Sequence, residues 1–273
     1  MRFKCRMIDM AAMRDFTNIV NTVSRMSKMC VIRLTPDVLC FNIGDDRVPV
    51  VWAELSQSRF FNEYAMGGAS DDQNEIYLES DTIMLARSVA SLKQTAKSVK
   101  IKLTNKQQPC LTFEIELPSL SLDSRQCVHD VPVRVIPRRE WCEYQAPNVP
   151  EFDISMDMPQ LKHVRSMVER MKNMSPHLIL EADRSGKLVL KVDNDSASIA
   201  THFRNLNVWN SSDIEEEEIT ASVDIKKFHT FLSWDIIHPD SVKCNILHER
   251  TVNLHLSSEG YLTIHYFMPA IAS

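Results

Sequence analysis

Few residues of this chain have the types and spacing that catalysis requires. Of its nine histidines, only His129-Asp130 and His248-Glu249 adjoin an acid, and neighbours along a strand point to opposite faces. The segment Gly67-Gly68 followed by Asp71-Asp72 is the nearest approach to a phosphate or metal loop, but it lacks the lysine and the spacing of GxxxxGK[ST]. GxGxxG, HExxH and GxSxG are absent from the sequence. We therefore expect no catalytic residue.

Cysteine and glycine usage also argues against a metal or cofactor site. The seven cysteines form no CxxC pair, whereas zinc sites prefer clustered ligands. We expect them to be reduced and mostly buried, as free cysteine usually is. The five glycines are too few for glycine-rich phosphate loops. We predict no metal, no cofactor and, since no apolar run of about 18 residues occurs, a soluble intracellular protein without a membrane partner.

Positively charged side chains are the remaining candidates for a functional site. They are concentrated on the predicted helices, although the whole chain carries a net charge of −5. In residues 11–28, the positions Arg14, Asn18, Asn21, Arg25 and Lys28 follow helical spacing opposite an apolar stripe. In residues 160–173, a similar row is formed by Lys162, Arg165 and Lys172. One interpretation is that the helices face a polyanion and contact its phosphates without reading sequence. The alternative is an ordinary solvated helix face.

The elements that would position these cations occur in the same order twice. Each half is predicted to begin with a short strand and a helix, continue with several strands, and then form a second helix and three strands. The four predicted helices cover residues 11–28, 82–98, 160–173 and 224–236. Prolines 137, 147 and 150 suggest a linker between the halves. We predict an α+β protein with a first domain at 1–136, a connector at 137–152 and a second domain at 153–273. The acidic run at residues 210–218 is predicted to be a solvated loop.

Seven short blocks resemble the Hus subunit family of the heterotrimeric checkpoint sliding clamp, the nine-one-one type. The blocks are MRFKCR at residues 1–6, NEIYLE at 74–79, KIKLTNK at 100–106, HDVPVRVIPR at 129–138, MKNMS at 171–175, THFRNL at 201–206 and YFMPA at 266–270. They are distributed from residue 1 to residue 270, so the resemblance extends along the chain. The resemblance implies the fold of proliferating cell nuclear antigen (PCNA), with two similar domains per subunit, sheets outside and helices lining a ring.

The same resemblance implies a function and its partners. The expected protein is a non-catalytic subunit of a ring that encircles DNA without sequence preference, supports checkpoint kinase activation and tethers repair enzymes. The implied partners are Rad-nine-type and Rad-one-type clamp subunits and a clamp loader, and the implied location is the nucleus, with some protein in the cytoplasm. The residues expected to face DNA are Arg14, Arg25, Lys28, Arg87, Lys93, Lys97, Lys162, Arg165, Lys172, Lys226 and Lys227.

Two further sites follow from the resemblance. Ring closure needs an exposed strand edge in each domain, and the expected edges are residues 129–136, where Pro132 suits an edge, and residues 197–204. The predicted interface residues are Val131, Val133, Val135, Ile199, Thr201 and Phe203. A groove for partner peptides is expected at Trp141, Tyr144, Phe267 and Met268, although the connector aromatics Trp141 and Tyr144 would equally suit anchors that fold back onto the domain. A replicative homotrimeric clamp and, more remotely, a nucleic-acid-processing enzyme are the alternative functions.

Overall fold

The chain folds into two compact units of mixed helix and sheet. The computed structural model describes residues 1–45, 48–68, 74–93, 96–118, 125–195, 197–211, 218–258 and 260–271. The first unit contains residues 1–146 and 259–262, and the second contains residues 147–258 and 263–273. Residues 137–146 of the predicted connector thus belong to the first unit. Asp71, Asp72 and most of the acidic run lie outside the described residues.

The first unit has nine strands and three α-helices within the described residues. The strands are β1 (Arg2–Met7), β2 (Met29–Leu34), β3 (Val38–Asp45), β4 (Val48–Ser56), β5 (Glu63–Gly67), β6 (Ile76–Asp81), β7 (Ser98–Asn105), β8 (Pro109–Leu117) and β9 (Arg125–Val135). The helices are α1 (Met10–Met26), α2 (Gln57–Phe60) and α3 (Thr82–Val89), which continues as a 3-10 helix over Ala90–Lys93. The strand order is β4-β3-β2-β6-β9-β8-β7-β1-β5.

The second unit also has nine strands, and it has two α-helices, within the described residues. The strands are β10 (Ile154–Asp157), β11 (His177–Ala182), β12 (Leu188–Asp193), β13 (Ser198–Phe203), β14 (Val208–Ser211), β15 (Ile219–Asp224), β16 (Ser241–Leu247), β17 (Thr251–Ser258) and β18 (Leu262–Pro269). The helices are α4 (Leu161–Met171) and α5 (Ile225–Phe231), followed by a 3-10 helix at Leu232–Ile237. The orders are β14-β10-β16-β17-β18 and β13-β12-β11-β15.

The two units repeat one topology, as the element order predicts. In the first unit β1 pairs with β5 and β7, and in the second β10 pairs with β14 and β16. Likewise β2 pairs with β3 and β6, while β11 pairs with β12 and β15. Of the α-helices among the described residues, only α2 has no counterpart in the other unit. The internal repeat is therefore a repeat of strand pairing.

Apolar periodicity and side-chain caps explain the main helices. Phe16, Ile19 and Val23 bury one side of α1, and Val164 and Val168 do the same for α4. The predicted cap at Asp81 is confirmed, since its carboxylate accepts the Met84 N–H at 2.9 Å. Asp9 caps α1 in the same way. Each cap satisfies a backbone donor that the first helical turn leaves free.

Several predicted boundaries were wrong. The helix predicted at 82–98 ends at Val89, and its 3-10 extension ends at Lys93. Lys97 directly precedes β7, where its N–H donates to the Glu116 carbonyl at 2.8 Å. Four short elements, α2, β5, β14 and β15, had no predicted counterpart. With four to six residues each, they are too short for a clear period.

Candidate nucleic-acid interface

Each unit presents a pair of packed helices that carries most of the predicted cations. In the first unit α1 packs against α3 and its 3-10 extension, and in the second α4 packs against α5 and the following 3-10 helix. Leu85 and Val89 on α3 and Phe228 and Phe231 on α5 are buried. The apolar residues therefore hold each pair to its own unit and leave the charged faces on the surface.

The cations of the first unit are exposed. Arg14 and Arg25 lie on α1, Arg87 lies on α3, and Lys93 ends the 3-10 helix. Lys28 and Lys97 are also exposed, but both lie beyond the helices. Within the described ranges, Arg25, Lys28, Arg87 and Lys93 form no ion pair, whereas Arg14 approaches Asp15 at 3.6 Å. Among the residues that the structure describes, these four positive charges are therefore left without a neutralising acid.

Asn18 departs from the predicted polar row. Its side chain is buried, and its Oδ1 has no hydrogen-bond partner among the described residues. The next position of that row, Asn21, is half-buried. Of the predicted row, only Arg14 and Arg25 are therefore exposed on α1 itself, because the middle of the helix packs against neighbouring elements.

In the second unit one predicted cation is already neutralised. Lys162, Arg165, Lys226 and Lys227 are exposed, but Lys172 is half-buried with its Nζ 2.7 Å from Glu169 Oε1. The other oxygen of Glu169 lies 2.6 Å from His229 Nε2. The hydrogen bond from Lys172 lowers the pKa of Glu169. Burial, helped by Lys172 and Arg165, lowers the pKa of His229 despite this acid.

One exposed cation on α4 was missed by the sequence analysis. Arg170 is exposed in the last turn of α4. It follows Lys162 by eight positions, a spacing that places both on the same side of a helix. That spacing was the signal that could have found it.

The predicted edge of the second unit lies on β13, the end strand of its sheet within the described residues. β13 pairs with β12 and with no other described strand. Asn194 donates its N–H to the Ala197 carbonyl at 3.0 Å. Because backbone groups point alternately toward and away from the partner strand in an antiparallel pair, this bond determines which residues of β13 face β12. Ile199, Thr201 and Phe203 then direct their backbone groups to β12. The backbone groups that face the open edge belong to Ser198, Ala200 and His202.

The predicted edge of the first unit is displaced toward the start of β9. Val133 and Val135 were wrong as edge positions, because they lie beside Ser80 and Leu78 of β6. The Ile136 N–H donates to the Tyr77 carbonyl at 2.9 Å, so alternation turns the backbone groups of the even-numbered residues of β9 toward the β6 side. β6 pairs with residues 133–135 of β9. The β6 side of β9 is therefore open, among the described residues, from 126 to 132. Pro132 stands there, where a missing N–H costs no ladder bond.

The side chains near this edge follow the same alternation. Val131, directly opposite Leu111 of β8, is buried, and Val133 is buried as well. Val128 is 51% exposed and flanks the open edge. The predicted edge leaves out Gln126 and Val128 because strand pairing across more than forty positions cannot be read from one strand's own pattern. β6 and β9 are such a pair.

The predicted groove residues differ in exposure. Trp141 is only 6% exposed, packs with Val31, Tyr77 and Ile136, and donates its Nε1–H to the Ile136 carbonyl at 3.0 Å. Tyr144 packs against this cluster from a half-buried position. In the second unit Phe267 is half-buried and Met268 is buried. Trp141 and Met268 therefore offer little surface to a peptide.

Comparison with a solved structure identifies the fold. The crystal structure of PCNA from Entamoeba histolytica matches 98% of this chain and 99% of its own, with a TM-score of 0.70 at 10% sequence identity. The duplicated topology is therefore the PCNA-like clamp fold.

Sequence comparisons identify the family. The family model described as Hus1-like protein matches residues 1–272. The chain belongs to the Hus1-like family. It is 38% identical over 283 aligned positions to human Checkpoint protein HUS1, with both chains covered completely. It is 29% identical to Checkpoint protein Hus1-like of Drosophila melanogaster, over 99% of each chain. Checkpoint protein hus1 of Schizosaccharomyces pombe is also 29% identical, over 76% of this chain and 70% of its own.

The described residues of this Hus1-like chain were also compared with the requirements of a metal site, a reactive cysteine and a membrane span. No group of three or more histidine, cysteine or acidic side chains is placed to hold a metal within the described ranges. Five of the seven cysteines are buried, Cys127 is half-buried and Cys142 is exposed, and all seven are free. Burial raises the pKa of Cys30 and Cys244 to about 12. No helix among the described residues is long and apolar enough to cross a membrane.

Proposed function

We propose that this chain is a non-catalytic subunit of a ring-shaped DNA-damage checkpoint clamp. The observation that carries the proposal is the duplicated clamp topology, in which both units present exposed cations on a packed helix pair. The names of its relatives supply the checkpoint role. The ring encircles DNA in the nucleus, supports checkpoint kinase activation and tethers repair enzymes. Its other subunits are Rad-nine-type and Rad-one-type proteins, and a clamp loader opens it.

Attraction between the helices and phosphates is the proposed mode of DNA binding. The exposed cations Arg25, Lys93, Lys162 and Lys226 lack an ion pair among the described residues, so their charge is available to a polyanion. Contacts to phosphates position a protein without reading sequence. The ring is thereby retained on any duplex and remains free to slide.

Strand addition is the proposed mode of ring closure. β13 and the first half of β9 are edges with unpaired backbone groups among the described residues. An edge strand pairs readily with a strand of another chain. Ile199, which is 41% exposed beside the β13 edge, adds apolar area to that contact. For client peptides, Tyr144 and Phe267 are the proposed contacts because both are partly exposed.

Co-expression with Rad-nine-type and Rad-one-type subunits tests the proposal. We expect one complex with one copy of each subunit, loaded onto nicked circular DNA by the clamp loader and released when the circle is cut. A chain that alone forms a species of three times its 31.4 kDa mass would instead indicate a replicative homotrimeric clamp. Metal-dependent nuclease or ATPase activity that co-purifies with the chain through every column would contradict the non-catalytic role.

A further inference from the structure

Five cations form a basic face on the sheet of the first unit, away from its helices. Along β1 the side chains of Phe3, Cys5 and Met7 are buried, so the alternate residues lie on the opposite face of the sheet. The same alternation applies to β7, where Val99 and Ile101 are buried. The basic sheet face consists of Arg2, Lys4, Arg6, Lys100 and Lys102.

Like charges stand directly opposite one another on this face. Lys4 is paired in register with Lys102, and Arg6 with Lys100, an arrangement that destabilises a sheet. Glu63 lies 3.9 Å from Lys4 and 3.5 Å from Arg6. Glu114 lies 2.6 Å from Lys102. Within the described residues these two acids are the only ion-pair partners of the five cations, and Arg2 and Lys100 have none.

An open strand edge and a shallow depression adjoin the basic sheet face. β5 pairs only with β1 among the described strands. Its outward residues include Ala65 and Gly67, which lie opposite Lys4 and Arg2. A Cβ atom added to Gly67 would meet no atom of the described residues within 4 Å. These small residues line the depression together with Arg2, Lys4 and Lys102.

We propose that this face binds an acidic, extended segment of a partner protein, which adds as a strand to β5. Such a strand would lie two strand spacings, about 10 Å, from β1, a distance that a glutamate and a lysine side chain can span together. Its acidic side chains would cross Ala65 and Gly67 to reach Lys4 and Arg2. Backbone pairing with β5 would supply affinity, and the cations would select alternating acids.

The arrangement favours a peptide over a nucleic acid. Glu63 and Glu114 stand among the cations and would repel a continuous row of phosphates, whereas a peptide strand presents an acid only at every second residue. A nucleic acid also has no backbone groups that could continue the β5 ladder. This surface is separate from the helices proposed to face DNA, so its test does not depend on the ring.

Fluorescence anisotropy with the full-length chain tests the proposal. The probe is a fluorescein-labelled peptide of alternating glutamate and threonine. Its controls are the same peptide with glutamine for glutamate and the same peptide with N-methylated amides. In the double variant Arg2→Gln/Lys4→Gln, removal of two cationic partners should raise Kd by about tenfold or more. The single-charge control Lys106→Gln, which removes an exposed lysine paired with Asp130 in the same unit, should leave Kd within about twofold.

Thermal denaturation separates a binding defect from a folding defect. Because Lys4 lies opposite Lys102, the double variant should melt no lower than the wild type. Equal binding of the glutamine peptide, or an unchanged Kd in the double variant, would overturn the proposal. Undiminished binding of the N-methylated peptide would overturn strand addition. A single-stranded DNA that displaces the peptide and depends equally on Arg2 and Lys4 would assign the face to nucleic acid instead.

Discussion

Trp141 decides between two interpretations of residues 137–146, a peptide-binding groove or an anchor to the first unit. Its ring lies 4.8 Å from that of Tyr77, centroid to centroid. Tyr77 in turn donates its hydroxyl to Glu75, which accepts two hydrogen bonds from Arg33. The hydrogen bonds from Arg33, helped by the one from Tyr77, lower the pKa of Glu75, whereas burial and the hydrogen bond to Glu75 raise the pKa of Tyr77 to about 12. Trp141 is therefore an anchor that is joined to a partly buried polar network.

Truncation of Trp141 should destabilise the first unit. Trp141→Ala should lower the free energy of unfolding by about 3–5 kcal/mol, because it empties a buried aromatic site. Trp141→Phe keeps a ring but loses the hydrogen bond to Ile136, and it should cost clearly less. Urea denaturation followed by circular dichroism measures both values. Trp209→Ala is the control, since Trp209 is 61% exposed, and an equal loss in that variant would contradict the anchoring role.

At the scale of elements, backbone direction along β13 decides which residues can act at an edge. Phe203 was predicted to be an interface residue, but its N–H and C=O point to Leu188 of β12 by the alternation set at Asn194. Ala200 points its own groups outward. A proline is tolerated where the N–H faces solvent and disrupts a ladder where the N–H is bonded.

Ala200→Pro should therefore block assembly without unfolding the second unit. Size-exclusion chromatography with the Rad-nine-type and Rad-one-type subunits should show loss of the heterotrimer, while the melting temperature of the variant stays close to that of the wild type. Thr201→Pro is the matched variant on the other side of the strand, and it should lower the melting temperature. Normal assembly of Ala200→Pro would exclude β13 as the site of ring closure.

The sequence predicted the elements with strong periods and missed those without them. The helices around Phe16 and Val164 and the repeat of the two halves follow from apolar spacing within single segments. The short strands β5 and β14 do not, since their pairing with β1 and β10 stabilises them. The edge at β9 was misplaced by a few residues because only β6, which pairs with residues 133–135, determines where the open side begins.

At the scale of the whole molecule, cations gather on two kinds of surface of a chain with a net charge of −5. The helices carry cations that the sequence predicted from spacing, whereas the basic sheet face needed the register of β1 and β7 to be seen. An ion pair within the chain also lowers the contribution that a cation is expected to make to DNA binding. Lys172, bonded to Glu169, should contribute less to DNA binding than Lys162.

Neutralising the unpaired helix-region cations together should weaken DNA binding strongly. Each should contribute little alone, because attraction across hydrated gaps is weak and additive, and single variants should be nearly silent. In the assembled clamp, the combined glutamine variant should bind DNA far more weakly, and the salt dependence should become shallower by a slope of about 0.9 for each phosphate that is no longer neutralised. The substituted residues are Arg25, Lys28, Lys93, Lys162 and Lys226.

The basic sheet face provides a control with the same change in net charge. Glutamine at Arg2, Lys4, Arg6, Lys100 and Lys102 removes as many cations from a sheet surface that lies away from the helices of the first unit. If DNA binds through the helices, this second variant should keep both the affinity and the salt slope of the wild type, since its cations lie away from the duplex. Filter binding over a range of salt concentrations measures both clamps, and size exclusion verifies that both assemble. Equal losses of affinity in the two variants would mean that DNA responds only to net charge, and the helices would then be ordinary solvated faces.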